Sequence, residues 1–245
     1  MDERRERKFS KGEINKSAEH FEGQEPRKVL EWALHRFHPR IALACSFSAE
    51  DVVLIDMIQR INPGAKIFTL DTGRLHEETY NLIDEIRQRY GVKVEVYYPD
   101  TSSVEEMVRE HGMNLFYTSV RLRELCCRIR KVNPLERALQ GLDAWITGLR
   151  REQSVTRAEV EKIEVDEDYG GIMKVNPLAD WGHDQIWAYI KENKVAYNKL
   201  YDRSYASIGC EPCTRPIKPG ENLRAGRWWW ERGTRKECGI HCKLQ

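Results

Sequence analysis

The sequence predicts an α/β fold, a doubly wound parallel sheet covered by helices. Two observations lead to this prediction. Short apolar runs with the length of buried strands alternate with longer segments of helical periodicity along most of the chain. Turns rich in glycine, proline, serine and aspartate separate these segments. Strands connected by helices in this way pair in parallel, because each helix brings the chain back to the end of the sheet at which the previous strand began.

The first helix and strand begin this pattern. Residues 29–37 have helical periodicity, and Pro39 ends the helix because the residue before a proline disfavours the helical conformation. The apolar run 41–44 then predicts a buried strand. The polar turn 46–51 leads into a second helix over 52–61.

The same order repeats downstream. Residues 66–70 form the second predicted strand and residues 77–90 the helix after it. Gly91 ends this helix because glycine favours the left-handed conformation of a helix C-terminus. The remaining predicted elements are a third strand at 92–97, helices at 103–112 and 134–140, and a fourth strand at 143–147.

The composition is that of a globular protein without a general affinity for polyanions. The 245 residues carry a formal net charge of +1, and the mean hydropathy is −0.67. Any anion site must therefore be local, and we expect neither a nucleic acid nor a membrane as partner. No apolar run approaches the roughly 20 residues that cross a bilayer.

The N-terminal residues are charged and contain no apolar signal core, so we expect a cytoplasmic, reducing location. The dense alternation of charge over 1–16 predicts a solvated, partly disordered arm. We therefore divide the chain into an arm at 1–20, an α/β domain at 21–216 and a C-terminal tail at 217–245.

Three polar segments follow predicted strands, at 46–51, 71–74 and 148–157. Ligands of such sheets bind at the carboxyl ends of the strands, so these segments are candidates for an anion site. The small residues around Ser46 and Ser48 could receive a phosphate or sulfate oxygen. Simple helix N-caps are the alternative.

Four cysteines carry the strongest chemical signal. Cys126 and Cys127 are adjacent, and Cys210 and Cys213 form a Cys-x-x-Cys. In a reducing compartment such thiols indicate a metal centre rather than disulfides. Four thiolates suit a zinc ion or an iron–sulfur cluster, and adjacent cysteines favour the cluster because its irons accept ligands separately. Ordinary helix and turn residues are the third interpretation.

A fifth cysteine, Cys238, has the setting of a nucleophile. Its neighbours Lys236 and His241 favour the thiolate, whereas Glu237 opposes it. The tail before it contains three adjacent tryptophans, which cannot all face one core. Either one or two of them pack the tail down, or they serve as a lid.

Two further thiols have simpler interpretations. Cys45 ends a predicted strand and is expected to pack in the core. Cys242 is either a terminal thiol without a role or a partner that protects Cys238 from overoxidation.

Four motifs, at 176–181, 207–215, 224–231 and 236–241, resemble the thioredoxin-dependent adenylyl-sulfate and phosphoadenylyl-sulfate reductases. The resemblance runs from about residue 46 to residue 241 and implies an adenine-nucleotide α-hydrolase-like fold with a mobile C-terminal catalytic tail. There are departures. Residues 202–206 have serine and alanine where the family tends to have glycine and proline, and Cys242 is an additional thiol.

The resemblance also implies residue roles. It makes Cys126, Cys127, Cys210 and Cys213 ligands of a [4Fe-4S] cluster, and Cys238 the nucleophile. It places Lys131 between cluster and substrate. Phosphosulfate binding falls to Arg157, Arg224 and Arg227, and the nucleotide-binding segments contain Ser46, Ser48, Thr72 and Gly73.

The implied activity is reduction of adenosine 5′-phosphosulfate (APS) to sulfite and AMP through an enzyme S-sulfocysteine, with reduced thioredoxin as partner. It would serve assimilatory sulfate reduction and cysteine biosynthesis. The family branch with both cysteine pairs prefers APS, and the branch without them uses the 3′-phosphorylated substrate, PAPS. PAPS reduction and a cluster- or zinc-bearing adenine-nucleotide binding module remain alternatives. Family members suggest a homo-oligomer.

Overall fold

The structure is a computed structural model, and it describes residues 11–232 and 239–240. The described residues form eight α-helices and six β-strands. The helices are α1 (Lys11–Glu22), α2 (Pro26–Phe37), α3 (Ala49–Ile61), α4 (Glu77–Tyr90), α5 (Thr101–His111), α6 (Val120–Cys127), α7 (Asn133–Leu139) and α8 (His183–Glu192). The strands are β1 (Ile41–Ala44), β2 (Lys66–Leu70), β3 (Val94–Tyr97), β4 (Ala144–Ile146), β5 (Ile163–Asp166) and β6 (Ile172–Val175). None of the described helices combines the length and the apolar run that a membrane span requires.

The six strands form one sheet in the order β3-β2-β1-β4-β6-β5. Strand β4 is parallel to β1, with Ala144 beside Ile41, and parallel to β6, with Ala144 beside Met173. At the edge, β5 is antiparallel to β6. The prediction of an α/β fold with a mainly parallel sheet is confirmed, and the four predicted strands correspond to β1–β4. The prediction missed β5 and β6, and it missed the antiparallel edge.

The chain divides into two compact units built from interleaved segments, rather than into one α/β domain followed by a tail. In the described chain, the first unit comprises residues 11–45, 49–67 and 141–195. The second comprises 46–48, 68–140 and the chain from 196 onward.

In the first unit, helix α1 begins at Lys11, within the charged arm that the sequence predicts at 1–20. The end of α1 is held by packing and by charge. Phe21 is buried, with its ring centroid 4.9 Å from that of Trp32, and Glu22 pairs with Arg151. Residues 1–10 lie outside the described residues.

The second unit has its own apolar core. Met107, Leu115, Phe116 and Trp228 are buried there together with three of the predicted metal-ligand cysteines. The tail predicted from residue 217 thus belongs to this unit and packs into its core at Trp228. The predicted mobility of the tail stays a prediction for the residues after Trp228. Cys238 and Cys242 lie outside the described residues.

Candidate metal centre and anion site

The four predicted metal-ligand cysteines line one cavity in the second unit. The cavity measures about 320 Å³, including the part that opens to solvent. Its lining residues are Arg74, Phe116, Arg123, Cys126, Cys127, Arg130, Lys131, Cys210, Pro212 and Cys213. None of the five cysteines in the described chain forms a disulfide. The structure thus brings together two cysteine pairs that lie about 80 residues apart in the sequence.

Helix α6 carries the first cysteine pair, Cys126 and Cys127. The Ser119 side chain caps its N-terminus by accepting a hydrogen bond from the Leu122 amide at 3.2 Å. Cys126 and Cys127 form its last turn, and a π-helical turn, Arg128–Val132, follows. Such turns are frequent at functional sites because the extra residue changes the direction of the side chains after it.

The second cysteine pair, Cys210 and Cys213, lies in a tight turn. The Cys213 amide donates to the Cys210 carbonyl at 3.0 Å, and the Thr214 hydroxyl donates to the same carbonyl at 2.9 Å. The Glu211 amide donates to the carbonyl of Arg74 at 2.9 Å. The Cys-x-x-Cys is therefore fixed by its own backbone and by the 71–74 turn.

The burial of these thiols decides their chemistry. Burial, and then the neighbouring Cys210, raises the pKa of Cys213 to about 12. Burial likewise raises the pKa of Cys126, although Arg130 opposes the effect. Thiols with a raised pKa are poor nucleophiles at neutral pH, but the charge of a bound metal deprotonates them.

The donor set consists of four thiols that line a shared cavity. Among the described residues, no three His, Cys, Asp or Glu side chains converge closely enough to hold a single metal ion. All four sulfur-bearing side chains nevertheless border the same cavity. Ligands spread around a shared space suit a cluster, since each thiolate binds a different iron.

Positive side chains surround the thiols. Arg74, Arg130 and Lys131 line the cavity, and the Arg130 Nη1 donates to the Thr72 carbonyl at 2.6 Å. The Thr72 hydroxyl lies 3.3 Å from the Cys210 Sγ. The predicted nucleotide-binding turn therefore adjoins the predicted metal site.

The conformation of this turn requires a glycine. Gly73 has a φ of +68°, and a Cβ there would lie 3.5 Å from the Arg130 Nη1. Its amide donates to the Asp71 Oδ1 at 2.7 Å. A left-handed conformation of this kind strains other residues.

Of the predicted phosphosulfate-binding arginines, Arg227 lies in the second unit against the residues before Cys210. Its Nη1 is 3.3 Å from both the Ser207 Oγ and the Ile208 carbonyl. A Cβ at Gly209 would lie 2.4 Å from the Arg227 Nη2, so this guanidinium position requires glycine there. Arg224 is half-buried in the preceding turn and does not line the cavity.

The tail is joined to the Cys-x-x-Cys turn by backbone pairing. Thr214 and Arg227 form an antiparallel bridge, and the Trp228 amide donates to the Cys213 carbonyl at 3.1 Å. Trp228 is 1% exposed, whereas Trp229 is 40% exposed. The Trp230 Nε1 donates to the Phe116 carbonyl at 3.2 Å. Trp228 and Trp230 thus pack this part of the tail down, in agreement with the first of the two interpretations of these tryptophans.

Gly226 makes this pairing possible, so Gly226→Ala is expected to destabilise the second unit. A Cβ at Gly226 would lie 2.2 Å from the Arg215 carbonyl oxygen, and backbone cannot yield as a side-chain end can. We expect a loss of about 2–3 kcal/mol in the free energy of unfolding. Chemical denaturation measures this loss. Gly23→Ala is the matched control, since nothing lies within 4 Å of its Cβ position, and an equal loss in both variants would contradict the expectation.

Arg157 lies in the first unit. Its Nη1 donates to the Gln153 Oε1 at 2.5 Å, and the Gln153 Nε2 donates to the Glu50 Oε1 at 3.0 Å. The buried Arg150 donates to the same Glu50 oxygen at 2.9 Å. A Cβ at Gly148 would lie 2.6 Å from the Asp51 Oδ1. Two of the three predicted strand-end segments, 148–157 and the end of 46–51, therefore meet in this unit.

Ser46 and Ser48 flank a backbone position in an unusual conformation. Phe47 between them is 1% exposed and has a φ of +59°, which non-glycine residues rarely adopt. Ser46 is exposed and Ser48 is half-buried. Their role in anion binding stays a prediction.

Sequence reasoning missed three lining residues of the cavity, Phe116, Arg123 and Arg130, which lie outside the segments that it named. Helical spacing was a usable signal for Arg123, because it precedes Cys126 and Cys127 by three and four positions. Arg130 is next to the predicted Lys131. Phe116 offered no local signal.

Comparison with known proteins shows which family the chain resembles. The family model of the phosphoadenosine phosphosulfate reductase domain matches residues 40–216. The adenosine 5′-phosphosulfate reductase of Burkholderia cepacia is 54% identical over 204 residues, which cover 83% of this chain and 81% of that protein.

Two solved structures are also similar. The phosphoadenylyl-sulfate reductase of Candida auris, in a phosphate complex, has a TM-score of 0.73 and 32% identity, covering 84% of this chain and 98% of that one. The FMN adenylyltransferase of Candida glabrata with ATP has a TM-score of 0.56 at 14% identity, covering 85% and 68%, and shows the fold alone. From the matched domain and these identities, the chain belongs to the phosphoadenosine phosphosulfate reductase domain family.

Proposed function

We propose that this protein reduces APS to sulfite and AMP with electrons from reduced thioredoxin, in assimilatory sulfate reduction and cysteine biosynthesis. The observation that carries the proposal is the single cavity lined by both cysteine pairs and by Arg74, Arg130 and Lys131. It is supported by the Burkholderia cepacia relative, whose name gives APS as the molecule reduced.

The reacting thiol in this proposal is Cys238. Its thiolate attacks the sulfur of the phosphate–sulfate anhydride, the sulfur–oxygen bond to the phosphate breaks, and AMP leaves with the electron pair. Cys238 then carries an S-sulfo group. A thioredoxin thiolate attacks the Cys238 Sγ and expels sulfite, and the second thioredoxin thiol resolves the mixed disulfide. The two electrons come from the thioredoxin dithiol, and Cys238 is regenerated.

The proposed cofactor is a [4Fe-4S] cluster held by Cys126, Cys127, Cys210 and Cys213. The support is the thiol-only donor set and the cavity that the four cysteines share. When bound, the cluster would supply an electrostatic influence on the substrate anion rather than electrons, because the thiols already supply both.

The side chains of this protein would neutralise the substrate. An anionic thiolate approaches a phosphosulfate only where its negative charge is compensated. Lys131 contributes a compact charge at the cavity, and Arg224 and Arg227 are proposed to contact the phosphosulfate. Arg157 keeps its predicted phosphosulfate role. The nucleotide is proposed to contact Ser46, Ser48, Thr72 and Gly73.

The second candidate is PAPS reduction, alone or beside APS. The similarity to the Candida auris reductase, whose name gives PAPS as substrate, favours it. The two substrates differ at the ribose 3′ position, where PAPS would require an additional positive charge.

Anaerobic sulfite release with reduced thioredoxin, measured separately with APS and with PAPS, tests the proposal. We expect sulfite from APS and at least about tenfold less from PAPS at equal concentration, since an unmatched phosphate near the ribose would be poorly compensated. Activity with PAPS alone would replace the proposal by the second candidate. Iron and sulfide in the protein without sulfite from either substrate would indicate an adenine-nucleotide binding module.

We also propose a cytoplasmic location, because free thiols persist in a reducing compartment. A homo-oligomer is proposed because the family resemblance suggests one. No nucleic acid is proposed as partner, since the net charge is +1.

A further inference from the structure

A buried ion pair links the tail to the helix that carries the first cysteine pair. Arg123 on α6 donates from its Nε to the Glu231 Oε1 at 2.8 Å and from its Nη2 to the Glu231 Oε2 at 3.2 Å. The two side chains are 2% and 6% exposed. The Glu124 Oε1 is farther from the Arg123 Nη2, at 3.7 Å. The bidentate geometry therefore selects Glu231, and burial protects the pair from screening.

The pair continues a set of contacts that fix one short segment of the tail. The Arg123 Cζ lies 4.8 Å from the centroid of the buried Trp228 ring, and the Glu231 amide closes a turn onto the Trp228 carbonyl at 2.9 Å. Trp230 donates to the Phe116 carbonyl. Phe116 and Arg123 both line the cysteine cavity. The segment 228–231 is thus attached beside that cavity by backbone, ring and charge contacts.

We propose that the Arg123–Glu231 pair is a positioning device for the catalytic tail. It fixes the point from which the chain continues toward Cys238. The inference rests on the proposed function. Cys238 follows Glu231 by seven positions. A fully extended chain of that length reaches at most about 25 Å. A fixed origin next to the cavity keeps the thiolate close to a bound substrate, whereas a released segment would let it search a larger volume.

The pair acts through Cys238 and does not itself touch the reacting atoms. Loss of the pair should therefore slow the chemical step and leave substrate affinity unchanged. Misplacement of a reacting group by about 1 Å can slow a reaction about 100-fold. We expect a smaller, about tenfold effect, because Trp228 and Trp230 still hold part of the segment.

Glu231→Gln tests the inference, since it keeps the side-chain shape but removes the charge. We expect the single-turnover rate of S-sulfocysteine formation at saturating APS to fall about tenfold, with APS affinity and iron content unchanged. Limited trypsin digestion gives a second readout, because loss of the ion pair should let the segment next to Arg232 open more often. We expect this cleavage to be faster in the variant.

Glu221→Gln is the matched control. It makes the same change in the same tail, at a half-buried ion pair in which the Arg215 Nη1 lies 2.8 Å from the Glu221 Oε2. Both rates should stay at the wild-type value in this control. If Glu231→Gln does not fold, the double variant Arg123→Gln/Glu231→Gln removes both buried charges together and should show the same loss of rate.

The outcomes separate the inference from the function on which it rests. A wild-type protein that forms S-sulfocysteine, with Glu231→Gln reacting equally fast, overturns the inference alone. A loss of APS affinity or of iron equal to the loss of rate also overturns it, because the pair would then be a general structural element. A wild-type protein that forms no S-sulfocysteine overturns the proposed function, and the inference with it.

Discussion

Replacing Cys213 with serine is expected to remove iron and acid-labile sulfide from the protein purified under anaerobic conditions. Serine cannot take over, since its hydroxyl stays protonated at neutral pH and is a hard donor. Cys213 lies in the apolar core of the second unit, and burial raises the pKa of its thiol to about 12. At neutral pH this thiol is therefore expected to lose its proton when it binds a metal centre. Iron and sulfide assays, together with the visible absorption of the cluster, measure the loss.

The same variant should be less stable. A centre held by both cysteine pairs cross-links two segments of the chain. A disulfide closing a loop of about 80 residues would contribute about 4 kcal/mol by constraining the unfolded chain, and we expect a similar loss here. For a protein of this size this corresponds to a fall in Tm of about 10 °C.

Cys45→Ser is the control for Cys213→Ser. Cys45 is also buried, 4% exposed, but does not line the cysteine cavity. This variant should lose some stability through the buried hydroxyl and keep its iron. Full iron content in Cys213→Ser would contradict the proposed ligand set. Zinc instead of iron in the wild type would favour a zinc site, the alternative that the sequence left open.

The parts of the fold that the sequence predicted are those set by local periodicity and backbone chemistry. Strand β1 at Ile41–Ala44 and β2 at Lys66–Leu70 have the predicted bounds. Helix α4 ends at Gly91, whose φ is +66°, as its glycine indicates. Helix α6 was missed because its buried face carries Arg123, and an arginine in the sequence usually marks a solvent-facing position.

The residues of the candidate site likewise include some that the sequence predicted and some that it did not. The cysteine motifs predicted which thiols line the cavity, because the type and spacing of residues indicate metal ligands in a sequence. The buried arginines around them were not predictable, since their positions depend on long-range partners. Arg123 reaches Glu231 across more than 100 positions, and Arg130 reaches the Thr72 carbonyl. Such pairings are properties of the folded chain alone.

The structure adds a physical reason for the roles that the sequence assigns to two of the cavity cysteines. Burial raises the pKa of Cys126 and Cys213, so these thiols are unreactive without a metal. Cys238 has the basic neighbours Arg235 and Lys236 in the sequence and no long apolar run beside it. The chemical step should therefore depend on Cys238, and the metal site on the buried cysteines, with little exchange between the roles.

Cys238→Ser is accordingly expected to abolish sulfite release while leaving the metal centre intact. A serine hydroxyl is a weak, hard nucleophile at neutral pH, so we expect a loss of at least about 1,000-fold in turnover. Sulfite release and mass spectrometry of the S-sulfo adduct measure the loss, and the iron content should equal that of the wild type. Cys242→Ser is the matched control, the same change four positions later. It should keep full thioredoxin-dependent activity if Cys242 has no role, whereas greater inactivation by peroxide would show that Cys242 protects Cys238. Sulfite release that survives Cys238→Ser but not Cys242→Ser would transfer the nucleophile to Cys242.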